Sequence, residues 1–217
     1  MNWKIKKEQI LLIVICALIS GYFAYLRQKK KNDIYTIENA TKYAKEKDYI
    51  NAINICNKII AAHPENSAAY NVRGTSSIYT NDTIMALKDI NKAIELKPTS
   101  PLAYFNKAQL FLVQEKFDRI FEPINNSLKY YENDKEYQNY LMYYMRGIAY
   151  YKTDNLSLAI ADFNLVINLN SKFSDAYFMK AQILNKMNDK DGCCLNLKIS
   201  ADLGNTAAKE KYDKKCK

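Results

Sequence analysis

Residues 144–163 read YMRGIAYYKTDNLSLAIADF. Apolar and aromatic side chains recur there at helical spacing, yet Gly147 sits in the middle of the run. A glycine inside a helix costs about 1 kcal/mol relative to alanine, so something must compensate. Twelve residues on comes the small Ala159, and four after it Phe163.

The same pattern returns along the chain. AAYNVRG ends at Gly74, LAYFNKA at Ala108, LMYYMRG at Gly147 and DAYFMKA at Ala181. Each carries a tyrosine (Tyr70, Tyr104, Tyr143, Tyr177) four residues before the Gly or Ala, with Arg or Lys just ahead of the small residue. Tyr70 to Tyr104 is 34 residues, Tyr143 to Tyr177 is again 34, and the middle gap is 39. A second segment repeats with it: AINICNKIIAAHP, ALKDINKAIELKP and AIADFNLVINLNS start at Ala52, Ala86 and Ala159. Pro64 and Pro98 stop their helices, since proline cannot continue one. Each unit is therefore read as a helix A, a short polar turn (Asn81-Asp82, Asp154-Asn155) and a helix B. A fixed period of this size means stacked supersecondary units. With only 5 Gly and 4 Pro in 217 residues, the composition fits long helices and short turns.

These residues resemble the tetratricopeptide repeat family. Its 34-residue unit carries an aromatic at positions 4 and 11, a small residue at 8 and 27, Ala at 20, an aromatic or apolar residue at 24, and Pro at 32. The resemblance gives units at 33–66, 67–100, 101–139 (atypical), 140–173 and 174–207, with a capping helix over 208–217. The fold class it implies is all-α: an α-solenoid of about five helix-turn-helix units plus the cap, preceded by one transmembrane helix. Stacking is what stabilises such an array, because a lone helix pair cannot bury its apolar face. Ala40, Gly74, Ala108, Gly147 and Ala181 fall at position 8, and Ala52, Ala86 and Ala159 at position 20, where helices A and B approach closely. Gly147 is then a packing residue, with Ala159 its small counterpart.

The third unit departs from the pattern. Ile120 stands where Ala is expected, and Pro123 falls inside helix B, which it should kink or break. Five extra residues precede Tyr140, and the tyrosine-rich LKYYENDKEYQNY is a candidate contact surface.

Residues 10–26, ILLIVICALISGYFAYL, carry no charge. At about 1.5 Å per residue they span roughly 26 Å, a little short of a ~30 Å hydrocarbon core. Lys4, Lys6 and Lys7 precede the run; Arg27, Lys29, Lys30 and Lys31 follow it. The reading is an uncleaved anchor, with residues 1–9 a basic tail and 27–32 a basic linker. A cleaved signal peptide is the alternative, disfavoured by the lack of an A-x-A-like site. Because both flanks are basic, the side of the membrane that holds the array is left open.

The net charge of +9 resides at the ends: +6 in residues 1–31, +3 in 207–217 and zero between. A neutral body argues against nucleic-acid binding. The single histidine, His63, precedes Pro64 and has no partner for a metal set. The glycines form no phosphate-cradling loop. The chain is read as a non-enzyme, with no catalytic residues, metal or cofactor. Of the five cysteines, Cys16 lies in the apolar run and Cys56 at a core position. A Cys193–Cys216 or Cys194–Cys216 disulfide would pin the cap in an oxidising compartment.

The resemblance implies that helix A lines the concave face. Its groove residues are then Asn71, Thr75, Phe105, Gln109, Tyr144, Ile148, Tyr151, Phe178, Gln182 and Asn185. They are aromatic and apolar with interspersed amides, and lack the Lys/Arg/Asn clamp with which some family members hold acidic peptides. The expected partner is another protein or a peptide segment of apolar character. The functional reading is a membrane-anchored adaptor or scaffold. Alternatives are a structural subunit of a larger membrane-associated assembly, or a secreted protein if the N-terminal segment is cleaved.

Overall fold

The computed structural model describes residues 21–23, 35–131 and 140–217. All regular structure among them is helical. The helices are α1 (Ile37–Lys45), α2 (Tyr49–Ala62), α3 (Ser67–Tyr79), α4 (Thr83–Leu96), α5 (Pro101–Val113), α6 (Phe121–Tyr131), α7 (Tyr140–Lys152), α8 (Leu156–Leu169), α9 (Ser174–Lys186), α10 (Lys190–Asp202) and α11 (Thr206–Lys215), with a 3-10 turn at Phe117–Arg119 before α6. The expected membrane span and the insert over 132–139 lie outside the described residues, apart from residues 21–23. Among the described residues no helix is long and apolar enough to cross a membrane.

Local chemistry sets the helix ends. Lys47, Asn81, Glu115, Asp154 and Asn188 have φ between 54° and 65° and follow α1, α3, α5, α7 and α9. In every case the next residue's N–H returns to a carbonyl in the last turn: Asp48 to Tyr43, Asp82 to Ser77, Lys116 to Phe111, Asn155 to Tyr150, Asp189 to Leu184. This is the Schellman closure, and all five manage its left-handed residue without glycine. The chain then turns straight into the second helix of the pair, except after α5, where the 3-10 turn at Phe117–Arg119 intervenes. The side chains of Asp48, Asp82 and Asp189 cap α2, α4 and α10 by accepting backbone N–H bonds.

Helices pair within units, and successive first helices also pack on one another (α1 on α3, α3 on α5, α5 on α7, α7 on α9). The first helices therefore form one continuous face. The core between helices consists of apolar clusters that hand over from unit to unit. Ala40, Ile55, Cys56, Ile59 and Ala69 form the first. Ala108, Phe111, Ile120, Ile124, Met142, Met145 and Ala149 join the third unit to the fourth. Ala40, Ala52, Ala86, Ala108, Ala159 and Ala181 are fully buried.

Gly147 meets its reason here. A Cβ on it would lie 3.0 Å from Cε1 of Phe163 and 3.3 Å from Cβ of Asp162. At Gly74 the same atom would lie 2.9 Å from Cγ1 of Ile90. The Phe163 ring lies against the glycine, so the absent side chain makes room for an aromatic one.

The third unit corrects one expectation. Pro123 neither breaks nor kinks a helix, because α6 begins only at Phe121. Pro123 sits in the first turn, before the first intrahelical bond, from the Ile124 N–H to the Ile120 carbonyl. An N–H is not needed there. Ile120, at the place expected for a small residue, is fully buried in the cluster that bridges to α7.

Candidate functional site

The groove candidates all lie on first helices, but the structure divides them into three groups. Asn71, Thr75 and Gln109 belong to the first three units. Asn106 Nδ2 donates to Asn71 Oδ1 at 2.9 Å across two units, with both residues buried. Thr75 spends its hydroxyl on the Asn71 carbonyl of its own helix. Gln109 Nε2 donates to the Tyr79 hydroxyl at 2.8 Å, and the Tyr79 ring stacks on Tyr49 with centroids 4.7 Å apart. A cavity of about 220 Å³, lined mainly by apolar atoms, opens between α1, α3 and α5; Tyr49, Val72, Tyr79 and Leu102 line it beside the two asparagines.

Phe105, Tyr144 and Ile148 form the second group, and packing claims much of their surface. Phe105 lies against the cluster that joins the third and fourth units. Tyr144 meets Phe173 and Phe163 edge-on at 4.9 and 5.8 Å, and burial pushes its hydroxyl up to about 12. Ile148, like Tyr144, packs against a separate cluster of Ala159, Phe163, Val166, Ala176 and Ile183.

Tyr151, Phe178, Gln182 and Asn185 make the third group, at the C-terminal end. Tyr151, Gln182 and Asn185 line a cleft of about 300 Å³ together with Lys186, Lys211 and Lys215. Lys215 donates to Asn185 Oδ1 at 3.1 Å, Lys186 pairs with Asp154, and Lys211 lies 4.8 Å over the Phe178 ring. Two of the cleft's lysines come from the cap, so it exists only while α11 is docked.

The cap is tied down covalently. Cys194 and Cys216 form a disulfide, and Cys193 is a free, buried thiol. This corrects the Cys193–Cys216 pairing. Neighbouring side chains on a helix point about 100° apart; Cys193 faces the α9/α10/α11 cluster with Ala181, Leu197 and Ala208, which leaves Cys194 to reach the cap.

Two buried ion pairs were not legible in the motifs. Arg73 donates to both carboxylate oxygens of Asp89, at 2.6 and 2.8 Å, and Arg146 does the same to Asp162, at 2.8 Å twice. Each arginine also reaches the preceding unit, at Asn57 and Asn125. The paired carboxylate raises each arginine's pKa further. The basic residue before each small residue was visible in the sequence; its acidic partner, 16 residues on, could have been found by asking what neutralises a cation at a packed position. Lys107 and Lys180 are the equivalents in the third and fifth units, where the partner positions hold Pro123 and Asn196. His63 closes α2 and is exposed, and no metal-binding cluster exists among the described residues.

Helix pairs of one register, closed by identical turns and stacked first helix on first helix, define the class: the fold is a tetratricopeptide-repeat solenoid. Residues 140–173 match the model of the tetratricopeptide repeat. TPR repeat-containing protein MJ1428 of Methanocaldococcus jannaschii is 30% identical over 105 residues, covering 48% of this chain and 18% of that protein. The chain thus spans less than a fifth of that relative. Among solved structures, the Cut9 subunit assembly with Hcn1 from the APC/C superposes with a TM-score of 0.77 at 14% identity, over 94% of this chain and 41% of that one. YrrB, described as a TPR protein with an unusual peptide-binding site, gives 0.67 at 14% identity, over 88% and 98%. At these identities the likeness is one of fold.

Proposed function

We propose that this chain is a membrane-anchored adaptor that docks a segment of another protein on the face formed by its first helices and performs no chemical turnover. The observation that carries the reading is the cavity between α1, α3 and α5: it is apolar, bordered by tyrosines and supplied with amides. That composition suits a polypeptide segment, with rings as anchors and amides for orientation. The uncharged run over 10–26, with its basic flanks, supports anchoring, which would confine the search for a partner to the membrane surface and raise effective concentration. A neutral array speaks for recognition by shape and hydrogen bonding over attraction by charge.

The test is photocrosslinking of the full-length chain in native membranes. A benzoylphenylalanine at Tyr79 or Tyr151, on first helices, should yield a discrete adduct. The same probe at Leu158, exposed on α8, should not. Adducts of equal yield from all three positions, or none from the first helices, would contradict docking on that face. Removal of residues 10–26 should release the chain from sedimented membranes; retention in the pellet would contradict the anchor.

A further inference from the structure

The fourth and fifth units carry an apolar column on their second helices, away from the first-helix face. Ala161, Leu165 and Leu169 stand four residues apart on α8, and Leu195, Ile199 and Leu203 stand 34 residues further on, at the same places on α10 and its C-cap. Side chains spaced by four lie on one face of a helix. Leu165, Leu169, Leu195 and Leu203 are 41%, 50%, 60% and 38% exposed, and none of the six takes part in the clusters that hold α8 and α10 to their neighbours. A single exposed leucine is ordinary, but a contiguous apolar patch is not. In the other units the same places are polar: Asn54 and Lys58 on α2, Lys88 and Lys92 on α4, Glu122 and Asn126 on α6. The one ionisable side chain of α8, Asp162, is buried against Arg146, so its outward face is uncharged. On α10 the exposed Lys198 and Asp202 flank the column with opposite signs.

The composition of the patch says what covers it. Stable protein–protein interfaces engage about 20–30 residues a side, with tyrosine, tryptophan and arginine as anchors and leucine under-represented. Six aliphatic side chains with no aromatic among them supply neither the area nor the anchors. They do suit the acyl boundary of a bilayer, into which an apolar helix face sinks by about 5–10 Å. The bilayer is also within reach. Ten residues, 27–36, join the uncharged run to α1, and at about 3.6 Å each they hold the start of the array within roughly 36 Å of the run's end. The units nearest that tether favour the same surface by charge. Lys58, Lys88 and Lys92 at the column positions are matched to anionic headgroups; Glu95, paired with Lys92, and Glu122 are the carboxylates beside them.

We propose that the second-helix side of the array lies on the lipid surface, with the lysines of α2 and α4 over anionic headgroups and the aliphatic columns of α8 and α10 at the acyl boundary. The first-helix face then points away from the lipid and stays open to a partner. The proposal rests on the anchor reading above and adds the orientation of the array on the membrane.

Single-tryptophan chains test it. In the full chain carrying Trp3→Phe, which removes the one native tryptophan, tryptophan replaces Leu165, Leu195, Val113 on α5 or Phe23 in the uncharged run. Each chain is reconstituted into vesicles of phosphatidylcholine and phosphatidylglycerol, with and without bromine near the top of the acyl chains, where it quenches tryptophan at short range. Leu165→Trp and Leu195→Trp should be quenched and shifted to the blue, as Phe23→Trp should be. Val113→Trp, at a site 53% exposed on a first helix, should keep its emission. Quenching of Phe23→Trp alone overturns the lipid contact and leaves the anchor intact. A blue shift at Leu165→Trp and Leu195→Trp without quenching assigns the patch to protein, a second copy or a partner, and overturns the lipid contact as well. Equal quenching at Val113→Trp overturns the orientation. Quenching at none of the four overturns the anchor and this proposal with it.

Discussion

Arg146 lays its guanidinium flat against the carboxylate of Asp162, two bonds of 2.8 Å across the α7/α8 contact, and extends its remaining nitrogen to Asn125 of the preceding unit. Arg73, Asp89 and Asn57 repeat the arrangement two units earlier. Each arginine thus closes its own helix pair and ties it to the one before. Breaking a buried pair by removing one partner typically costs about 3–5 kcal/mol. Asp162→Ala should therefore lower the thermal midpoint followed by circular dichroism, and Asp162→Ala with Arg146→Met should recover part of the loss, since no buried charge is then left alone. Equal destabilisation by the single and the double variant would show that the pair is not coupled.

Gly147→Leu is expected to unfold the array locally. Even the first added carbon meets Phe163 at 3.0 Å, and overpacking costs about 1–3 kcal/mol. Gly147→Ala sets a gain of about 1 kcal/mol in helix propensity against that crowding and should come out mildly destabilising. Gly147→Ala combined with Phe163→Leu should relieve it. A Gly147→Leu chain as stable to urea as wild type would refute the close-approach account.

The disulfide should govern the cap. α11 fully buries only Ala208, while Tyr212 and Cys216 are half-covered. Closing a loop of 22 residues contributes about 3 kcal/mol by the chain-entropy estimate. On reduction, or in Cys216→Ser, amide exchange should quicken through α11 while α3 to α5 keep their protection. Digestion under non-reducing conditions should give a Cys194–Cys216 peptide, with Cys56 and Cys193 alkylated only after unfolding. A Cys193–Cys216 peptide would contradict the structure.

Alkaline pH should destabilise the array in a defined window. Burial pushes the Cys56 thiol from 9.0 up to about 12, and the Tyr144 hydroxyl from 10.0 up to about 12. Both groups hold their proton longer in the folded than in the unfolded state. Their contribution is thus complete below the unfolded values and is lost as pH rises through 9–12. Urea midpoints should be level up to about pH 9 and then fall. Cys56→Ala with Tyr144→Phe should flatten that fall, and an unchanged slope in the double variant would count against these two groups.

The array was legible in the sequence because its marks are local and repeated: a tyrosine, a small residue four positions on, an alanine at the start of helix B. Each reports a contact within one helix pair, so each recurs at the period of the unit. What was not legible depends on contacts between helices or on a helix's rotation about its axis. Asp89 and Asp162 look like ordinary surface carboxylates until their helices turn them onto an arginine. Cys193 and Cys194 differ by one residue, and the facing of α10 decides which one bridges. Pro123 reads as a breaker at its repeat position and is harmless because α6 starts late. Asn106 was passed over because it lies one position from Phe105, which fitted the expected groove position; its partner Asn71 is 35 residues away. Of the groove residues, Tyr144 shows why an aromatic stripe on a helix is ambiguous: its ring is as much core as surface.

The central claim is that the faces of α1, α3 and α5 around the cavity between them hold the partner's segment. Hydrogen–deuterium exchange of the full chain in detergent, with and without a saturating amount of the protein recovered by crosslinking from Tyr79, tests it most directly. The account predicts slowed exchange concentrated in α1, α3 and α5, with α2, α4 and α8 unchanged. Slowing confined to the second helices, or spread evenly over the array, would contradict it.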